Sequence, residues 1–174
     1  MAASGQQLSD TGNRFASRWL AEPRCAELTP DTLIASWLTE TGLLTRRLRT
    51  LCGDDFNMQV LRNAEGDDVI GLHREVLLCC GPAPCIYAVT DVPAATLREH
   101  DWLAQLGDEP LGETLQSRAD VTRSSFSYAL LQPESLPAAA KATTPAWARR
   151  SAFQIGAATL SVTEVFLAAL NDCG

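Results

Sequence analysis

The stretch FNMQVLRNAEGDDVIGLHREVLLCCGPAPCIYAVTDVP, residues 56–93, decides how this chain folds. It contains three runs of strand formers, FNMQVLRN, VIGLHREVLLCC and CIYAVTDVP, separated by AEGDD and GPAP. Gaps that short join antiparallel neighbours, because a parallel crossover needs about a dozen residues or more. The stretch therefore predicts three strands that pair as antiparallel neighbours.

Downstream, VTRSSFSYALLQ (121–132), WARRSAFQI (147–155) and TLSVTEVFLAA (159–169) return to strand alternation, which brings the total to about six strands. Upstream, Thr29 and Pro30 read as the cap and first residue of a short surface helix ending near Gly42, with Leu33 and Trp37 four apart. LLTRRLRTLCG (43–53) spaces Leu44, Leu48 and Leu51 along one helical face, while Arg46, Arg47 and Arg49 make a basic face that is either solvated or attracts an anion. DVPAATLREHDWLAQLG (91–107) reads as a helix stopped by Gly107, and PESLPAAAKATTPA (133–146) as a long loop. Strands joined by tight turns, rather than alternating with helices, predict an α+β fold: a single antiparallel sheet with helices on one side. One domain is expected over residues 1–174, with residues 1–13 frayed.

At 174 residues the chain can bury about 70% of its unfolded surface without metal or disulfide help. No apolar run approaches the roughly 20 residues that span a bilayer, so no membrane insertion is expected. The N-terminus lacks a basic start followed by an apolar run, which predicts a cytoplasmic protein. A net charge of −7 argues against a nucleic-acid partner and repels small anions at long range. An anionic substrate would need local positive charge, and thirteen of the fourteen basic residues are arginine. The six cysteines are expected as free thiols. Cys79, Cys80 and Cys85 with His73 make a poor zinc set, since adjacent strand residues point to opposite faces and no C-x-x-C pair is present, so no metal is expected. The chain also lacks G-x-S-x-G, Walker, H-E-x-x-H and G-x-G-x-x-G signatures, which removes the main support for hydrolase, NTPase, zincin and dinucleotide readings and leaves no cofactor expected. His73 and His100 read as structural or exposed.

Two charges stand out. At a two-residue period Arg74 aligns with Val76 and Leu78, and Glu164 with Leu160, Val162 and Phe166, so both point inward. A buried ion costs several kcal/mol unless something pairs with it. Either the two form a buried salt bridge with each other, or a polar ligand takes both: a guanidinium grips a carboxylate in a planar fork and a carboxylate accepts from a hydroxyl, the two ends of a small hydroxy acid.

The words around them, in order, are GLLTRRL (42–48), LHREVLL (72–78), the VP of TDVPAATL (90–97), LGDEPLGETL (106–115), WARRSAF (147–153) and LSVTEVFL (160–167). This set resembles the chorismate pyruvate-lyase family, the enzymes that supply 4-hydroxybenzoate for ubiquinone. Ala148 replaces a glycine usual in the family, and Leu44 stands where a methionine can occur. The resemblance implies a cofactor-independent carbon–oxygen lyase, a monomer, with an internal pocket under flap segments. It implies that Arg74 and the backbone N–H groups of Leu44 and Leu111 hold a carboxylate, and that Glu164 holds the hydroxyl and acts as base or hydrogen-bond partner. Chorismate is a dianion, and its second carboxylate is expected on Arg149 or Arg150. The competing reading is a non-catalytic domain of related fold that senses an aromatic or sugar acid.

Overall fold

The computed structural model describes residues 19–21 and 32–173; the expected cap at Thr29 and Pro30 and the frayed start lie outside the described residues. The sheet is built from β1 (Leu20–Ala21), β2 (Phe56–Glu65), β3 (Ile70–Cys80), β4 (Ala83–Pro93), β5 (Val121–Arg123), β6 (Ser127–Leu131), β7 (Ala146–Ile155) and β8 (Ala158–Phe166). Its order is β1-β6-β7-β8-β4-β3-β2, with β5 also on β7, and every pairing is antiparallel. The two hairpins of residues 56–93 form one side of the sheet, and the last strand, β8, is inserted beside β4 at its centre.

The described strands number eight rather than six. The run 121–132 breaks at residues 124–126 into β5 and β6, which pair with opposite ends of β7, and the two-residue β1 adds to the edge.

Register fixes what each face carries. One row of cross-strand partners runs Val76, Ala88, Glu164, Arg149, Tyr128, and the next runs Arg74, Thr90, Val162, Ser151. Partners in a row share a face, so the inward parity of Arg74 and Glu164 puts both on the same side, one row apart. Helices α1 (Thr32–Leu38) and α2 (Leu44–Cys52) pack over this face through Ile34, Trp37, Leu38, Leu44 and Leu48. On α1 the buried stripe is Ile34, Trp37 and Leu38, leaving Leu33 exposed, and the helix ends at Leu38. The opposite face, with Leu77, Tyr87, Val89, Ala148 and Val165, is covered by the 133–146 segment through Leu136, Ala140 and Ala142. That long loop is therefore no lid over the Arg74 side.

The helix expected over 91–107 is shorter and split. Asp91–Pro93 complete β4, α3 covers Ala94–Glu99, and His100 at φ −134° turns the chain into a 3-10 segment, Asp101–Gln105. A fourth helix, α4 (Leu111–Gln116), follows. No described helix is long and apolar enough to cross a membrane.

The free-thiol expectation fails for one pair. Cys52, at the end of α2, and Cys80, at the end of β3, form a disulfide with Cα atoms 5.5 Å apart. Helix α2 runs back over the first hairpin, so its last residue meets the end of the neighbouring strand. Cys79, Cys85 and Cys173 remain free.

Candidate active site

Between the sheet and two overlying segments lies a cavity of about 250 Å³. Arg74, Val76, Ala88, Thr90, Val162 and Glu164 form its floor. The roof comes from residues 41–45, which lead into α2, and from Pro110, Leu111 and Gly112 at the start of α4. The two flaps touch: a Cβ placed on Gly112 would lie 3.2 Å from Leu43 Cδ2, and Arg49 reaches Glu113 at 3.3 Å.

Arg74 is 3% exposed, and no carboxylate lies within ion-pair distance of it among the described residues. Its Nη1 donates to the Gly107 carbonyl at 2.7 Å and its Nη2 to the Glu109 carbonyl at 3.0 Å. Burial pushes this guanidinium below its ordinary range, and the charge of Asp108 opposes that. The side chain thus ties down the loop leading to α4 while standing in the cavity floor. Neither α2 nor α4 has a side-chain cap, and the backbone N–H groups of Leu44 and Leu111, their first residues, have no intrahelical acceptor. Both residues line the cavity.

Glu164 is held from one side only. Its Oε2 accepts from Arg149 Nε at 2.7 Å and from Arg123 Nη2 at 2.9 Å, while Oε1 accepts no hydrogen bond among the described residues. Arg149 is fully buried, and its Nη1 donates to the carbonyls of Trp37, Leu38 and Glu40, where α1 ends. It stands behind Glu164 and does not line the cavity. Arg150 alternates to the other face, where its guanidinium lies 4.4 Å from the Trp19 ring. Arg46 and Arg47 lie outside the cavity too; Arg47 stacks on Trp37 and pairs with Glu40.

The sequence reading passed over Arg123. It lines the cavity, donates from Nε to Ser151 Oγ at 2.8 Å, and lies 4.5 Å and 4.7 Å from the rings of Phe126 and Phe153. Burial pushes its guanidinium down, and the charge of Glu164 works against that. If 121–132 were one strand, Arg123 would alternate with Tyr128 and face away from Glu164. The break at residues 124–126 resets that parity, and the only signal for it in the sequence is the Ser124–Ser125 pair.

Of the residues expected at the site, Arg74, Glu164, Leu44 and Leu111 meet in one cavity, and Arg149 reaches it only through Glu164. His73 lies on the opposite face, between Asp91 at 2.5 Å and Glu75 at 2.7 Å, and Tyr87 donates to the same Glu75 at 2.6 Å. It is structural. Arg74 and Glu164 form no ion pair with each other, so the salt bridge weighed for them is absent. Each has separate partners.

A chorismate lyase family model matches residues 17–172. A probable chorismate pyruvate-lyase of Methylococcus capsulatus is 35% identical over 153 residues, covering 78% of this chain and 94% of the relative. Probable chorismate pyruvate-lyases of Pseudomonas putida and Halorhodospira halophila are each 36% identical, covering 77% and 79% of this chain and 81% and 82% of their own lengths. With the match running through both flaps, Arg74 and Glu164, this chain belongs to the chorismate lyase family.

Proposed function

We propose that this protein eliminates pyruvate from chorismate to give 4-hydroxybenzoate for ubiquinone synthesis, with Arg74 and Glu164 at the two ends of the ring. One observation carries the assignment of roles: both side chains are fixed from behind by other groups, yet both stand in one cavity without touching. Their Cα atoms sit two strands and one row apart, roughly 12 Å from strand and residue spacings, which leaves room for one ring between the head groups.

In this reading the ring carboxylate lies on Arg74 and on the N–H groups of Leu44 and Leu111. The ring hydroxyl donates to Glu164 Oε1, the carboxylate oxygen that no arginine uses. The ether bond then breaks, the hydroxyl-bearing carbon gives up its hydrogen as a proton, and the ring becomes aromatic. The departing enolpyruvate takes a proton on its methylene carbon and becomes pyruvate. Nothing is oxidised or reduced overall, so the protein's task is to hold the ether in the geometry for elimination, a proximity and orientation effect. Glu164 acts in the step as base or as hydrogen-bond partner.

The flaps, in contact through Leu43 and Gly112, exclude water from the reacting ring. The reading takes the protein as a monomer and the chain as one domain over residues 1–174 acting in the cytoplasm. Incubation of the pure protein with chorismate, without metal or nucleotide, should release 4-hydroxybenzoate and pyruvate in equal amounts. No product above the spontaneous background would overturn the assignment.

A further inference from the structure

Chorismate carries a second carboxylate on its enolpyruvyl arm, and the arm is attached to the ring carbon next to the one bearing the hydroxyl. Whatever holds the hydroxyl therefore fixes where this carboxylate lies: beside Glu164. A cation is needed there, and the structure offers few. Arg149 is sealed behind Glu164, and Arg150 is on the other face. Arg118 lines the cavity but is committed through Nε and Nη2 to Asp120, each at 3.2 Å.

Arg123 has the right position and spare donors. Ser151 and Glu164 use Nε and one Nη2 proton, and Nη1 makes no hydrogen bond among the described residues. Phe126 and Phe153 flank the guanidinium. Charge points the same way. Arg74 and Arg123 line the cavity and Arg149 stands behind it, while Glu164 is the one carboxylate within ion-pair distance of any of the three among the described residues; Asp108 acts on Arg74 only from farther away. That local excess of guanidiniums suits an anionic substrate, inside a protein whose overall charge is −7.

We propose that Arg123 is the binding subsite for the enolpyruvyl carboxylate, and that it separates the doubly charged substrate from the singly charged aromatic product. The proposal rests on the chorismate reading of the cavity and deepens it. When the ether breaks, the group held by Arg123 leaves as enolpyruvate, and 4-hydroxybenzoate keeps only the contacts to Arg74, the two backbone N–H groups and Glu164.

The test compares substrate with product on Arg123→Gln and Arg123→Lys. Loss of a charge-assisted pair should raise the KM for chorismate about 10- to 100-fold in Arg123→Gln, with partial recovery in Arg123→Lys. The Kd for 4-hydroxybenzoate, measured calorimetrically on the same samples, should move less than about threefold, because the product has nothing to offer Arg123. An unchanged KM for chorismate would overturn the proposal. So would equal weakening of chorismate and 4-hydroxybenzoate, which would mean that Arg123 only props Glu164. Wild-type protein that makes no 4-hydroxybenzoate would overturn the chorismate reading itself and this subsite with it, whereas normal wild-type turnover with either of the first two results removes the subsite alone.

Discussion

Glu164→Gln should damage stability and catalysis together, by different amounts that the structure allows to be worked out. Glu164 Oε2 accepts two hydrogen bonds from guanidiniums, at 2.7 Å and 2.9 Å. Removing one partner of a buried ion pair costs about 3–5 kcal/mol when the remaining charge is stranded. Two features reduce that figure here: glutamine keeps a carbonyl oxygen that can still accept, and Arg149 retains the carbonyls of Trp37, Leu38 and Glu40. A loss of about 2–3 kcal/mol follows, out of a total of about 5–15 for a domain, or a Tm lower by about 5–10 °C at this chain length. The variant stays folded. At the cavity the loss is larger, because an amide nitrogen now stands where Oε1 received the ring hydroxyl and neither takes a proton nor accepts a hydrogen bond. Groups in that role contribute about 10²- to 10⁴-fold to rate. Urea unfolding without ligand gives the first quantity, and initial rates of 4-hydroxybenzoate formation give the second. A variant destabilised as expected but within a few-fold of wild-type kcat/KM would refute the catalytic role and leave Glu164 as the centre of a structural ion cluster.

Arg74→Ala should weaken 4-hydroxybenzoate binding about 100-fold through loss of a charge-assisted pair, and should also release the carbonyls of Gly107 and Glu109. Amide exchange over residues 107–112 would then quicken, and unchanged product affinity would count against the carboxylate site. Gly71→Ala would push a Cβ to 2.7 Å from the Ala94 Cα and 3.0 Å from the Leu97 Cβ, where β3 passes under α3, for a loss of about 1–3 kcal/mol in denaturant titration. An unaltered midpoint would show that the helix yields freely. Reducing Cys52–Cys80, which links positions 28 apart, should lower stability by about 3–4 kcal/mol, and equal midpoints with and without reductant would contradict the bond. Cys85 should resist alkylation at pH 8 in the folded chain, since burial, with help from Cys173, pushes its thiol up to about 12; labelling as fast as in urea would refute that.

The hairpins were legible because strand alternation and short turns are local properties, and residues 56–93 obey both. The inward parity of Arg74 and Glu164 followed for the same reason: the one irregularity beside them, opposite Glu75 and Val76, puts its extra residue, Leu61, on β2 and leaves the alternation of β3 and β8 intact. Arg149 shows where such reasoning stops. Its parity put it on the correct face, but parity does not say how far from the sheet a long side chain can extend, and the carbonyls at the end of α1 hold its guanidinium in place behind Glu164. Arg123 fails earlier, at the break that resets its strand. The disulfide required knowing how two separate elements end in space, which no local pattern encodes. The helix over 91–107 was overextended because strand β4 claims Asp91–Pro93, a pairing decided by β3 and β8 rather than by the segment itself.

The partly buried guanidiniums also bear on how the site works when empty. Guanidiniums taken out of water lose hydration, and at Arg74 and Arg123 burial is the largest influence on the group, acting against its charge. Carbonyls with only a partial charge recover part of that loss at Arg74, and at Arg123 the recovery comes from one carboxylate, Glu164, that Arg149 shares. The empty site is therefore less favourable than the same site with anions in place, and the difference becomes available on binding. A dianion placed on Arg74 and Arg123 collects both shares, whereas a monoanionic hydroxybenzoate collects only the one at Arg74. By this logic the second carboxylate contributes to holding chorismate before the ether breaks, and that contribution leaves with pyruvate. What the product retains are the interactions at Arg74 and Glu164, the two side chains anchored to the flap loop and to the buried ion cluster. Its release then depends on parting the flap contact at Leu43 and Gly112 rather than on the charge that drew the substrate in.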